Sequence, residues 1–368
     1  MRPVLAVEEQ ASLEIRIKQS KSARGGRSAP LRAFLIRLER ILLNPRGLPD
    51  PAVFILALLP SLVAGLILFR LPALEILAVA FAVGVAVHVL ARILGLPLAW
   101  SPLLPAVVGV SFLGAGAGLA WVPVIALVAA VLEVARARLL PAAALQTGLL
   151  AFAAAFLVAP FVPSAGPVAA YVAPLTLRPA PDPIALWSRF FEAGSASPVD
   201  PIRLYVGNVP GPVFATSLLA VALGIVWLWY AHRLRPWTLL GFLVAGFATT
   251  LVFAWNPLFQ LDSGPLWFVG GLVVANAAFT RHSRPAQALV GIVFALAAVA
   301  TRSRGAGIEA AVLAGAAVQI VVLVGEGVGW LLVNRARVGA GSRGGLGAVS
   351  RVGRGREERA SRPRVEGG

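Results

Sequence analysis

The side chains that could do chemistry in this sequence are few, and they stand in apolar surroundings. Glu75, Glu133, Glu309 and Glu326, with His88, Asn276 and Gln146, lie within long apolar stretches or near their ends. An ionisable group at the middle of a hydrocarbon layer costs at least ~2.5 kcal/mol, which makes each one a candidate for ion or proton handling by default. Position tempers that reading. Glu75 and Glu309 fall about one turn from one end of their stretches, and Glu133 and Glu326 about two turns or fewer from the other, where snorkelling or pairing with Arg302, Arg136 or Arg335 would satisfy them. Asn276 and Gln146 would line a pathway or hydrogen-bond between helices. The chain has 0 Cys and 3 His. This excludes disulfides and thiolate-held metal or iron–sulfur centres, and leaves little for haem or zinc. No phosphate-cradling glycine loop, triad spacing or metal-ligand cluster is present, so no catalytic residue and no metal site is expected.

The elements that must hold these residues are apolar runs. The 368 residues are 58% hydrophobic and 13% charged, with mean hydropathy +0.84, far outside a water-solvated domain of this size. About ten stretches are long enough, or nearly so, to cross a ~30 Å hydrocarbon core. They are Pro51–Phe69, Pro72–Leu94, Leu98–Leu119, Trp121–Val134, Leu140–Ala159, Pro212–Tyr230, Trp237–Ala254, Pro265–Thr280, Pro285–Ala300 and Gly307–Val333. The fold class expected is an all-α polytopic membrane protein. Its parts are a basic cytoplasmic region (1–50), a first five-helix repeat (51–160), an extracytoplasmic loop (161–211), a second five-helix repeat (212–335) and a disordered basic cytoplasmic tail (336–368).

Charge sets the orientation. With both tails inside, roughly 26 of the 32 Lys and Arg fall on the cytoplasmic side, which places the protein in the plasma membrane as a multi-pass chain with both termini cytoplasmic. The net charge of +16 belongs to tails and short loops near anionic lipid, and nucleic acid is not the expected partner. Residues 336–368 are Gly, Arg and Ser with almost no apolar content, too little to order themselves. Leu31 to Leu43 has helical spacing with one basic and one apolar face and reads as an interfacial helix.

Five spans per half give the halves opposite directions, so related halves would be inverted repeats with a pathway between them near mid-membrane. Two echoes support this. Pro51–Phe69 and Pro212–Trp229 both open their half with Pro, and the closing spans each carry a Gln among small residues, Gln146 and Gln319. The glycine clusters Gly109–Gly118 and Gly315–Gly329 imply closely packed backbones, with a cavity beside an unwound segment as the alternative.

From Asp200 onward, Asp200-Pro201-Ile202-Arg203-Leu204-Tyr205-Val206-Gly207-Asn208-Val209-Pro210-Gly211 and Thr216-Ser217-Leu218-Leu219-Ala220 resemble the loop-to-span junction of the NqrB/RnfD family. These are membrane subunits of the sodium-pumping NADH:quinone oxidoreductase and of the Rnf electron transport complex. Ala288 to Arg302, followed by Gly305-Ala306-Gly307-Ile308-Glu309, is similar to the family's closing spans, with Arg302, Gly305 and Glu309 at matching spacing. Pro51–Gly65 is similar to the opening span, so the resemblance covers about residues 50–335.

The resemblance implies a subunit of an ion-translocating oxidoreductase that carries flavin and couples electron transfer to Na+ or H+ movement. Other membrane subunits and a flavin transferase would be its partners beside the lipid bilayer. The family carries FMN as a phosphoester on a loop Thr. Here the place reads Gly194-Ser195-Ala196-Ser197-Pro198, so Ser197 takes the Thr position and the motif departs around it. FMN at Ser197, with riboflavin as the other flavin, would then be held by Ser195, Ser197, Tyr205, Asn208 and Thr216. The ion pathway would use Glu309, Glu75 and Asn276. The alternative is a small-solute channel or transporter with inverted repeats and no redox cofactor.

Overall fold

The computed structural model describes residues 45–96, 98, 101–141, 143–190, 199–278 and 283–325. The amphipathic stretch from Leu31 to Leu43, the tail 336–368, Glu326, Ser195 and Ser197 lie outside the described residues. Those described form an all-α protein, with three isolated β-bridges and no strand among them.

Helix α1 (Asp50–Ile93) has 44 residues and is broken at Arg70, whose φ of 53° and ψ of −121° leave the helical region. Pro72 stands just beyond the break. A proline lacks the N–H that would carry the ladder across this point but fits the first turn of a new helix, so the chain restarts here. The segments 50–69 and 71–93 match two of the expected spans.

Helix α2 (Leu103–Val110) is short, although the sequence reads as one helix over 98–119. Its continuation unwinds because a second backbone lies against it. A Cβ on Gly114 would sit 2.2 Å from the Ala170 carbonyl oxygen, and one on Gly118 2.3 Å from that of Ala165. Gly116 N–H donates to Ala170 O at 3.0 Å, and Val213 N–H to Leu113 O at 2.9 Å. Only glycine permits that approach.

Helix α3 (Trp121–Leu139) is followed by buried irregular chain at 143–146 and by α4 (Thr147–Val158), which Gln146 caps through its side-chain oxygen. The loop carries two short helices, α5 (Pro183–Phe190) and α6 (Pro201–Val206). Asp182 and Asp200 begin them by accepting from Ile184 N–H and Ile202 N–H, each at 2.9 Å. Carboxylates suit the free N–H groups of a helix start.

Beyond the loop come α7 (Leu218–Tyr230), α8 (Pro236–Val252) and α9 (Pro257–Asp262). Then follow a seven-residue π-helix at Phe268–Val274, α10 (Arg284–Ser303) and α11 (Ala310–Gly325). The expected helix over 265–280 is thus short as well, and its chain leaves the helix at Asn276, whose backbone pairs with Leu234.

Phenylalanines from distant parts of the chain meet in the core. Phe112 lies 5.5 Å from Phe152 and 5.3 Å from Phe268 between ring centroids, and Phe242 lies 5.4 Å from Phe294. The outward faces are apolar too. Ile67, Leu74, Leu223, Val226, Val244, Leu289 and Val321 are all exposed, while Glu133, Arg136, Gln146, Arg302 and Glu309 are buried. That is the reverse of a water-solvated surface.

Among the described residues two helices, α1 and α10, are long and apolar enough to cross a membrane. In each, only 44% of the apolar window is buried, whereas a soluble core helix would be mostly covered. Four further apolar helices are shorter, at 10–17 residues.

Candidate functional site

The last turn of α10 brings Arg302 inward. Its guanidinium donates from Nη1 to the Gln260 carbonyl and, at 3.2 Å, to Gln260 Oε1, and from Nη2 to Ser263 O at 2.8 Å. These acceptors belong to the end of α9, whose last carbonyls have no helical partner. The planar fork of arginine spans them in a way a lysine cannot. The chain then turns at Gly305, with φ of 92°, and enters α11 with Glu309 at its start.

Glu309 is buried, and Tyr171 donates its phenolic O–H to Glu309 Oε1 at 2.7 Å. Tyr171 comes from the loop, where the bridge between Val172 and Pro179 holds the chain in a narrow turn. Asp182, also buried, turns one oxygen to the start of α5 and the other towards Glu309. A Cβ on Gly307 would lie 2.8 Å from Glu309 Oε2 and 3.2 Å from Asp182 Oδ2. The two oxygens therefore face one spot and are at most about 6 Å apart, the space being open because residue 307 has no side chain.

Around these groups Tyr171, Ile184, Leu204, Val209, Phe259 and Ile308 form a small apolar cluster. Two carboxylates lie against it, while the Arg302 guanidinium is spent on Gln260 and Ser263 and makes no ion pair with either of them. The Tyr171 phenol is held well above the ordinary tyrosine range, by burial first and then by the charge of Glu309 and its hydrogen bond. Tyr171 is thus a fixed donor rather than a proton source near neutral pH.

No protein-family model and no curated protein matches the chain. The geometry has to carry the functional reading together with the local motifs. Among the described residues no group of three or more His, Asp or Glu side chains is placed to hold a metal ion.

The residues expected to form an ion pathway are not brought together. Glu75 is exposed on the second segment of α1. Asn276 is buried, with Nδ2 donating to Leu272 O at 3.3 Å and Oδ1 accepting from Ala278 N–H at 2.9 Å. It lies with Leu234 beyond the far end of α7, whereas Ile308, next to Glu309, faces Gly211 before that helix begins. Asn276 holds a turn.

Of the residues expected at a flavin, Ser195 and Ser197 lie outside the described residues. Tyr205 is half exposed on α6. Asn208 follows Gly207, whose φ is 85°, and its N–H donates to Arg203 O at 2.8 Å. Thr216 is buried, and its hydroxyl donates to Pro212 O within its own turn. That hydroxyl is not free for a flavin, and the flavin expectation rests on residues 191–198.

Sequence reasoning missed Asp182 and Gln260. The run Pro181-Asp182-Pro183 is a helix-start pattern and marks Asp182 as a cap. Nothing local shows that its second oxygen meets Glu309.

Proposed function

We propose that this chain is a multi-pass plasma-membrane protein of about ten spans in two inverted five-helix halves, with both termini cytoplasmic. In this reading it serves as an NqrB/RnfD-like subunit of an electron transport complex, coupling electron transfer to movement of Na+ or H+. The observation that carries it is the turn from Arg302 to Glu309. This is the stretch most similar to the family's closing spans, and it holds two buried carboxylates that face one spot, a phenol bonded to one of them, and the buried guanidinium of Arg302 at its other end. Buried ionisable groups in a lipid-solvated protein mark ion or proton pathways. The apolar outward faces of α1, α7, α8 and α10 support the multi-pass arrangement.

Two experiments test this reading. In-gel flavin fluorescence and intact mass of protein co-expressed with a flavin transferase should show a covalent FMN adduct that Ser197→Ala abolishes. A bare polypeptide mass removes the flavin claim. Because the chain has 0 Cys, single cysteines report topology directly. Thr176→Cys should react with an impermeant maleimide on intact cells, and Arg46→Cys only after lysis.

The second reading is a small-solute channel or transporter without a redox group. It is favoured by irregular chain, buried at 111–114, 143–146 and 211–217 and largely so at 275–278. Within a bilayer, backbone leaves the helix only where protein buries it or a cavity runs beside it.

A further inference from the structure

Gln146 and Gln319 stand 173 residues apart in sequence and meet in the interior, where Gln146 N–H donates to Gln319 Oε1 at 3.0 Å. Both are more than nine-tenths buried, at 1% and 6% exposure. The orientation of each carboxamide is fixed by its oxygen, since Gln319 Oε1 accepts from the Gln146 backbone and Gln146 Oε1 accepts from Gly148 N–H at 3.3 Å. Flipping either amide would set N–H against N–H, so the assignment of O and N is determined by the backbone donors. Both Nε2 groups are therefore turned away from those bonds, and neither finds an acceptor among the described residues. A buried amide donor without an acceptor is costly, and two on adjoining side chains are not accounted for by packing.

The surroundings select what such donors would take. Leu149 packs against Gly315, one turn before Gln319 on α11, with Val269 on the same glycine. Beside Thr147 stand Glu133 and Arg136, which neutralise each other through two hydrogen bonds of 2.7 and 3.0 Å. Thr147, next to Gln146, donates to Ala129 O at 3.0 Å and lies 3.4 Å from Glu133 Oε2. No net positive charge is left to hold an anion, and N–H donors repel a cation. What fits is a small uncharged molecule with an acceptor oxygen.

We propose that the Gln146 and Gln319 carboxamides form a binding site for small neutral oxygen acceptors, either water or a solute carbonyl, between the first and second halves of the chain. A buried polar site with free donors holds a bound molecule, whereas a dry cavity is apolar. The site requires only the contact between α4 and α11, and neither the flavin nor the Glu309 cluster. A failed flavin test therefore leaves it standing, and its own failure leaves the proposed function standing.

Hydroxyl-radical labelling by X-ray radiolysis of the full chain in detergent, read by mass spectrometry, tests the site. Radicals born from a bound molecule of water mark the side chains beside it even where bulk solvent does not reach. Leu149 should label at least about tenfold faster than Leu58 and Leu272, which are as fully buried, the factor that one well-made hydrogen bond gives to occupancy. The excess should vanish in Gln319→Leu and in Gln319→Met, each first shown to melt as the parent does. Acetamide that removes the excess at matched radical dose places carbonyl solutes in the class, and persistence in acetamide confines it to water. Labelling of Leu149 in the parent no faster than that of Leu58 and Leu272 overturns the proposal, whatever the variants do.

Discussion

Tyr171 and Glu309 are joined by a 2.7 Å hydrogen bond across 138 residues of chain. The bond fastens the long loop to the start of α11 at a point where both groups are buried. It also fixes which Glu309 oxygen remains for Asp182 and the space over Gly307. The loop is thereby part of the buried ionisable cluster, not a cover lying over it.

Removing that donor should be costly. Tyr171→Phe keeps the ring in its apolar cluster but leaves Glu309 Oε1 without its partner, and the penalty expected is about 1–3 kcal/mol. A lower melting temperature in detergent would register it. The phenol gives a second readout. Its folded value lies above its unfolded one, so the stability it contributes is whole below the ordinary phenol range near ~10 and is lost as pH rises through the raised value. Parent and Tyr171→Phe should show equal phenolate absorbance while folded at alkaline pH, and should differ by one phenolate after unfolding. A phenolate difference already present in the folded proteins would show that Tyr171 is accessible.

Arg302 should prove specific in chemistry as well as charge. Its fork meets acceptors on Gln260 and Ser263, and a lysine ammonium cannot span both. Arg302→Lys is expected to lose about 2 kcal/mol, the scale of a hydrogen bond to a charged group. Hydrogen exchange should locate the loss in residues 256–265. Exchange there unchanged from the parent would mean that α9 does not depend on the guanidinium.

The pair Glu133 and Arg136 invites a double-mutant comparison. Both are buried, and Arg136 also donates to Ala143 O at 2.8 Å. Glu133→Gln strands a buried guanidinium and should cost ~3–5 kcal/mol. Glu133→Leu with Arg136→Met removes both charges and should melt above the single variant, since an apolar pair escapes the desolvation penalty. A double variant less stable than Glu133→Gln would show that the bond to Ala143 matters more than the charge balance.

Much of this arrangement was legible in the sequence, and what was hidden has a common cause. Apolar length and the prolines at 51 and 72 locate the two segments of α1, because those features act locally. The glycines at 109–118 mark a close backbone approach, but which backbone approaches was not legible, nor was the interruption at Asn276, since a distant backbone, that of Ala170 or Leu234, supplies the pairing. The glutamines at 146 and 319 could be read as an echo between halves. That they touch is a tertiary fact. Glu309 stood out as an ionisable residue in an apolar run, but Asp182 looked like an ordinary helix cap, and only the fold turns its second oxygen to Glu309.

Helices α8 and α10 pack backbone to backbone, and two glycines set the contact. A Cβ on Gly291 would sit 2.0 Å from Thr238 O, and one on Gly241 2.3 Å from Ala288 O. Both obstacles are backbone, which cannot swing aside as a side chain would. Small residues at such points let helix axes approach where no hydrophobic force separates protein from lipid. Gly291→Ala should therefore push the two helices apart rather than fill a gap, at a cost of about 1–3 kcal/mol, the usual range for overpacking. Gly305→Ala is an instructive partner because a Cβ there meets nothing within 4 Å but the φ is 92°. Its cost would come from backbone strain alone, on the order of 1 kcal/mol. If melting of the two variants in detergent ranks Gly291→Ala as the milder change, the α8–α10 contact is looser than its glycines imply.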